Sequence, residues 1–407
     1  VLFRSQFIKL LKINSFYSLI IPNYWLSTKF DRLLRKNVFI ENHAIEVINT
    51  YEVFESASVN TLLLTGPKVK NTNPKTSFYS ISKNCKTIEE RLNAINLRIW
   101  EYSEEKQFAN GDEENTISFN KELKLSGNRT LGEFFSMFQG MKPYEKGKGN
   151  PPQTREMMNE KVYHSKTKID ETYFPLLGAK HIHRHFLVPF TEYIKYGKNL
   201  AAPRKPEIFE GERILINRIL SKNKIDGILL SETYINNTDV FNLIPLEKNV
   251  ISIKVLYALV VSKLCATYFK RANVNLNRNA FPKINVNTLE AFPIPEILPE
   301  IQTQIELQIN TIISKTLEFQ KRKSKFIELV KDNLAITIIS KKTDAFYDFD
   351  FKSFLSELKK QKVTLSLSDQ SEWKDFFEST KSEINQIQSE IEKTDKEIDQ
   401  MVYELYS

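Results

Sequence analysis

Hydrophobic and polar positions follow three regimes along this chain, and each predicts its own architecture. Phe16-Tyr17-Ser18-Leu19-Ile20-Ile21 is an apolar run closed by Pro22-Asn23, the pattern of a buried strand. Residues 27–36 predict a helix with Ser27 or Thr28 as its N-cap. Residues 44–50 and 60–65 predict two more strands, the second closed by Gly66-Pro67. Strand, helix, strand, strand is the tail of an α/β sheet. The part of such a sheet that carries a glycine-rich cofactor loop is absent from the pattern.

Residues 87–108 predict a helix with Leu92, Ile95 and Ile99 on one face, followed by an acidic polar loop at 110–115. From near Thr130 the pattern shortens into β-type runs at 186–190, 213–219, 227–230 and 240–244, followed by an apolar helix at 256–269 and closed by Pro293 and Pro295. The last hundred residues change period. Ile305, Ile309, Ile312, Thr316, Phe319, Phe326 and Val330 fall at helical spacing, as do Ile384, Ile387, Ile391, Ile398, Met401 and Leu405. Two long amphipathic helices with heptad character follow, packed on their own domain or forming a coiled coil with partner helices. The expected fold class is α+β: the tail of a sheet at 1–70, a helical connector at 71–129, a mixed α/β domain at 130–300 and a helical region at 301–407.

Charge changes the picture in the middle of the chain. Of the 58 basic and 50 acidic groups, residues 131–300 hold 24 and 17, net +7, against +4 for residues 1–130 and −3 for 301–407. A basic central domain suggests a polyanionic partner, with nucleic acid foremost. Two cysteines, Cys85 and Cys265, rule out a disulfide framework. No apolar run reaches the ~18–20 residues of a membrane span. The best, at 250–268, is interrupted by Lys254 and Lys263. The expectation is a soluble cytoplasmic protein without a membrane partner. Val1-Leu2-Phe3-Arg4-Ser5 reads as translated adapter sequence and is set aside.

Candidate chemistry is sparse. His181, His183 and His185 would share one face of a strand, yet i, i+2, i+4 spacing splays them too widely for one tetrahedral ion, so phosphate-contacting or surface roles fit better. Gly147-Lys148-Gly149 lacks the spacing of a nucleotide-hydrolysing loop. No Ser-His-Asp or paired-carboxylate arrangement is legible, and Cys265 reads as a core thiol. Lys195, Lys198, Arg204 and Lys205 cluster around Gly197 and Pro203 with Tyr193 and Tyr196 interleaved, a loop suited to phosphate and base contacts.

Taken in order, several blocks resemble one family. Leu19-Ile20-Ile21-Pro22-Asn23-Tyr24-Trp25-Leu26 and Val53-Phe54-Glu55-Ser56-Ala57-Ser58-Val59-Asn60-Thr61 resemble the segments that follow the catalytic loop in type IIG restriction–modification enzymes and related adenine-specific DNA methyltransferases. Pro175-Leu176-Leu177-Gly178-Ala179-Lys180-His181-Ile182, Tyr196-Gly197, Pro203-Arg204 and Arg213-Ile214-Leu215 with Arg218 resemble their Taq-type C-terminal target recognition domain. Ser262-Lys263-Leu264, Phe281-Pro282-Lys283-Ile284 and the run from Leu289 to Pro295 close the likeness.

The resemblance implies the end of a Rossmann-like methyltransferase sheet, a target recognition domain for double-stranded DNA and C-terminal helices. It implies a target-base pocket that includes Phe54, Pro22 and Asn23, and DNA contacts from Arg184, Lys195, Lys198, Arg204, Lys205 and Arg218. The family's cofactor motif and its Asn-Pro-Pro-aromatic loop have no counterpart here. S-adenosylmethionine is therefore expected for a longer parent and not for this segment alone. Asn150-Pro151-Pro152-Gln153 resembles the latter loop, but Gln153 has no ring to stack on a base and the motif lies beyond the sheet, so it reads as a structural loop. A non-catalytic DNA specificity subunit that docks a separate methyltransferase is the alternative. It fits the recognition domain and the heptads, but not the strand–helix–strand block.

Overall fold

In a computed structural model, residues 10–407 are described except 27, 29–30, 43, 57–58, 69–74, 83, 115–116, 118–122, 124, 222–223, 247–249 and 273–282. Ser27, Ala57, Ser58, Phe281 and Pro282 therefore lie outside the described residues. The fold is α+β, in two compact units: Val1–Leu125 with Thr267–Leu289, and Ser126–Ala266 with Glu290–Ser407.

The first unit is a five-stranded sheet in the order β1-β3-β2-β4-β5, with β1 at Ser15–Pro22, β2 at Glu46–Tyr51, β3 at Thr61–Lys68, β4 at Thr76–Ser80 and β5 at Glu101–Lys106. β3 runs antiparallel to both β1 and β2, so those two point the same way with a reversed strand between them. Strand β3 passes straight through Gly66-Pro67, where a turn is expected. The cross-strand partner of Gly66 is Tyr17, whose hydroxyl would lie 2.5 Å from a Cβ at that position, so the glycine makes room for a buried ring.

The first helix begins at Arg32, continues past Arg35 as a π-helical stretch, Lys36–Glu41, and so runs later than the 27–36 pattern predicts. It buries Leu34, Val38 and Phe39 against Trp25, Val47, Leu62 and Leu64, and Phe39 stacks on Phe108 with ring centroids 4.5 Å apart. We call Arg32–Arg35 α1.

The connector expected to be helical holds one helix and adds two strands, β4 and β5, to the sheet. A helix, α2 (Ile88–Asn96), opens on a capping box between Thr87 and Glu90, and the chain turns at Arg98 (φ 55°) into β5. Leu92 and Ile99, two of the three residues expected on its apolar face, are exposed.

The second unit holds two four-stranded sheets. One is β14-β13-β16-β7, with β7 at Phe135–Gln139, β13 at Arg213–Asn217, β14 at Gly227–Leu230 and β16 at Val240–Pro245. The other is β15-β9-β12-β8, with β8 at His164–Ser165, β9 at Tyr173–Leu177, β12 at Tyr193–Lys195 and β15 at Ile235–Asn236. A hairpin joins β10 (Ile182–His183) to β11 (Phe186–Leu187), β6 (Arg129–Thr130) pairs with β17 (Pro293–Ile294), and a short helix, α3, spans Arg155–Asn159. The expected apolar helix is two, α4 (Ile253–Val261) and α5 (Lys263–Ala272). Ser262 breaks it because its hydroxyl donates to Leu259 O and accepts from Cys265 N, closing one helix and capping the next.

Helices α6 (Pro299–Leu334), α7 (Lys341–Asp344), α8 (Phe351–Lys360) and α9 (Leu367–Glu404) complete the unit. The two long helices turn their buried isoleucines inward and, with α8, enclose Phe326, Phe346, Phe354 and Phe377. Their heptad faces are thus packed within this unit. No helix among the described residues is long and apolar enough to cross a membrane.

Candidate nucleic-acid interface

Two loops of the second unit are clasped together by one side chain. Gln153, only 2% exposed, donates from Nε2 to Pro143 O (2.9 Å) and Asn199 O (2.7 Å) and accepts from Glu145 N at Oε1 (2.8 Å). Main-chain bonds reinforce the clasp: Asn150 N donates to Lys198 O and Gly147 N to Gln153 O. Gly149 (φ 83°) could not be replaced without a clash, because a Cβ there would lie 2.4 Å from Asn199 O. Gln153 thus joins the two loops, a structural role.

The clasp brings Lys146 and Lys148 beside the loop that carries Lys195, Lys198, Arg204 and Lys205, with Arg155 at the start of α3. All seven are exposed. Among the described residues, none of these seven forms an ion pair; the salt bridges of this region are Lys142–Glu145 and Lys168–Glu171. Clustered cations without carboxylate partners present a surface suited to a polyanion. The sequence pattern points to four of them. Lys146, Lys148 and Arg155 are missed because they lie some fifty residues upstream and nothing local reveals the clasp; Gly147-Lys148-Gly149 is the nearest signal.

The loop's aromatics hold it in shape. Tyr196 donates to Arg204 O (2.9 Å) and packs edge-on against Phe174 and Phe209, and Tyr193 packs edge-on against Phe190. Burial pushes the Tyr196 hydroxyl up to about 12. Replacing Gln153 by leucine leaves Asn199 O and Glu145 N unpaired, while Pro143 O keeps its bond from Ala201 N. The variant is expected to lose on the order of 2–4 kcal/mol of stability by urea unfolding; an unchanged midpoint would show that the clasp does not hold the loops.

Two expected DNA contacts are instead internal. Arg184, with its side chain 9% exposed, directs Nε and Nη2 to Asp395 Oδ1 (2.8 and 2.6 Å) and Nη1 to Val261 O. Arg218 donates to Thr238 O (2.9 Å), sits over the Phe241 ring at 5.1 Å and is half-buried; burial lowers its pKa. The histidines do not share a strand face. His181 accepts from Gly178 N at Nδ1 (2.9 Å), His183 stacks on Phe186 with centroids 4.9 Å apart, and His185 (φ 70°) is buried against Tyr257. Glu192 pairs with His164. Among the described residues no group of His, Cys, Asp and Glu could hold a metal ion.

In the first unit, Pro22, Asn23 and Phe54 gather at one end of the sheet. Pro22 ends β1, and Phe54 follows the end of β2 in the same direction, so both lie at the carboxyl ends of parallel strands, where α/β sheets bind ligands. Phe54 is 46% exposed, which excludes a sheet-core role. Asn23 is buried, its main-chain N bonded to Asn60 O (3.0 Å) and its amide 3.4 Å from Asn49 Oδ1, and so braces the edge. Arg91 fixes the Phe54 loop by donating to Glu52 O, Cys85 O and Lys86 O.

Residues 174–294, from β9 to β17, match the family described as the TaqI-like C-terminal specificity domain. The match covers 121 of the 407 residues. Residues 298–402, which span the long helices, match a domain of unknown function, DUF8810.

Among solved structures, the chain is similar to the type IIL restriction-modification enzyme MmeI in complex with DNA (TM-score 0.47, 11% identity, 99% of this chain and 48% of that one). It is also similar to DrdV in a DNA complex (0.46, 11%, 77% and 39%) and to the type IIG restriction endonuclease BpuSI (0.30, 11%, 98% and 48%). The chain thus spans about half or less of the length of these relatives. No curated protein matches it. Of the cationic surface, Lys195, Lys198, Arg204 and Lys205 lie inside the specificity domain, whereas Lys146, Lys148 and Arg155 precede it.

Proposed function

We propose that this chain is the sequence-recognition part of a site-specific DNA adenine-N6 methyltransferase belonging to a restriction–modification or phage-defence system. The observation that carries the reading is the unpaired cationic surface built on, and clasped to, a TaqI-like specificity domain. Lysines and Arg155 would hold duplex phosphates and fix register, leaving base edges to be read in the major groove.

The methyltransferase part of the proposal draws on the sheet edge. An exocyclic adenine amine is buried in the duplex, so the base must be flipped out at a cost of a few kcal/mol. The exposed Phe54 ring, on the loop that Arg91 anchors at Glu52 O, would stack on such a base. β1 leads into Pro22-Asn23 and a tight turn, not into a glycine-rich loop opening a helix, so this sheet edge does not fit S-adenosylmethionine.

The test is binding of the full chain to duplex DNA across a salt series. A log–log slope of several units, near 0.9 for each phosphate contacted, is expected; salt-independent or absent binding would overturn the reading. A duplex carrying 2-aminopurine at the methylated position should brighten on binding, and Phe54→Ala should reduce the brightening severalfold with little change in affinity. Equal fluorescence from the variant would remove Phe54 from the base pocket.

A further inference from the structure

Among the contacts between the C-terminal helices and the specificity domain is a buried polar cluster. Asp395 and Asp399 lie one turn apart on α9. Asp395 Oδ1 takes two bonds from the Arg184 guanidinium and lies 3.4 Å from His185 Nε2, and Lys224 Nζ approaches its Oδ2 at 3.3 Å. Asp399 accepts from Lys263 N (2.9 Å), has Lys263 Nζ 2.9 Å from Oδ2, and lies 3.7 Å from Arg184 Nη2. Arg184 also donates to Val261 O at the end of α4. Behind it, His185 Nδ1 is 2.8 Å from the Tyr257 hydroxyl, which donates to Gly227 O. One face of α9 therefore grips the hairpin turn between β10 and β11, the α4–α5 break and the segment before β14.

We propose that the C-terminal helices act as a brace that sets the specificity domain for DNA, with Asp395 as the positioning residue that locks its β10–β11 hairpin. The brace acts from the far end of a strand. Lys195 pairs with Tyr173 at the start of β9, while the gripped hairpin follows Leu177 at its end. The helices hold the domain without lending cations to the cluster of lysines, in keeping with their net charge of −3. A buried ion pair of this kind contributes geometry more than net stability, since two charges have been taken out of water.

The cluster also makes the brace sensitive to acid. His185 faces Arg184 on its own turn, Lys224 on the segment before β14, Tyr257 on α4 and Asp395 on α9, and Asp226 on that segment faces Arg184 and Tyr257. Burial lowers the His185 pKa and outweighs the Asp395 contact that raises it. Burial alone would raise Asp395, but the contacts from His185 and Arg184 outweigh it and hold the carboxyl well below its usual range. A histidine lowered on folding contributes stability above its ordinary pKa of about 6.5, and a carboxylate held low contributes above about 4. Both contributions fade as pH falls, that of His185 first.

The experiment uses the full chain and two readouts. Amide hydrogen exchange of residues 182–187 should quicken at least ten-fold in Asp395→Asn at pH 7.5, with strand β13 unchanged. Duplex affinity should fall about ten-fold with the salt slope unaltered, because the phosphate contacts remain. The duplex readout rests on the DNA-binding proposal and the exchange readout does not. A wild type that binds no duplex therefore overturns that proposal, while unchanged hairpin exchange in the variant overturns the brace. A reduced salt slope would overturn it too, by making the effect one of lost contacts. Should Asp395→Asn fail to fold, Arg184→Lys keeps the charge, loses the two-pronged contact and is read in the same way. Wild-type hairpin exchange, corrected for its intrinsic rate, should rise between pH 7 and 5.5, and a flat profile counts against the role of His185.

Discussion

Neutralising Lys146, Lys148, Lys195 and Lys198 to glutamine together is expected to weaken duplex binding at 0.1 M salt by about 10³-fold and to flatten the salt slope by roughly 3–4 units. Each lysine that neutralises a phosphate releases counterions, which at that salt is worth a little under ten-fold, and four such contacts multiply. The four side chains are exposed and, among the described residues, unpaired, so their removal breaks no ion pair and the fold should persist. That separates this variant from Gln153→Leu, which leaves the charges in place and disturbs the loops that carry them. A quadruple variant that binds as tightly as the wild type would move the DNA surface elsewhere on the molecule. One that binds weakly with an unchanged slope would mean that the lysines act through the fold.

How much of this surface could be read from sequence follows from the range of the interactions. Lys195, Lys198, Arg204 and Lys205 are legible because they sit within eleven residues around a glycine and a proline, and all four are exposed. Arg184 looks like their equal and is not. Its partner Asp395 is 211 residues away on a helix whose apolar stripe gives no hint that one face ends in two buried carboxylates. The same limit governs the fold. The long helices are legible because their isoleucines repeat at helical spacing and nothing competes. The 87–108 segment misleads because Leu92, Ile95 and Ile99 mimic that spacing over about two turns, while Arg98 in a left-handed conformation ends the helix and starts a strand. Gln153 is the reverse case. Its four-residue motif looks catalytic in sequence, while its amide bonds two loop carbonyls.

Replacing Phe326 by alanine is expected to cost about 3–5 kcal/mol, the range for emptying a buried aromatic site. Phe326 is fully buried on α6, stacked on Phe346 with centroids 3.7 Å apart and on Phe376 at 5.6 Å, with Phe354 and Phe377 beside it. Those rings come from three helices and the turn between them, so the cavity cannot close by a shift of one element. By contrast, Phe326→Leu should cost closer to 1–2 kcal/mol, because most of the volume is kept. In calorimetry the alanine variant should lower the melting temperature by about 10 °C. The form of the transition carries the second half of the argument. If Arg184 and Asp395 tie α9 to the specificity domain, damage in the helical core must also loosen the domain, and the second unit should melt in one transition displaced as a whole. A helical transition that moves down while the specificity domain melts where it did before would mean that the buried ion cluster transmits nothing, and that the helices fold on their own account.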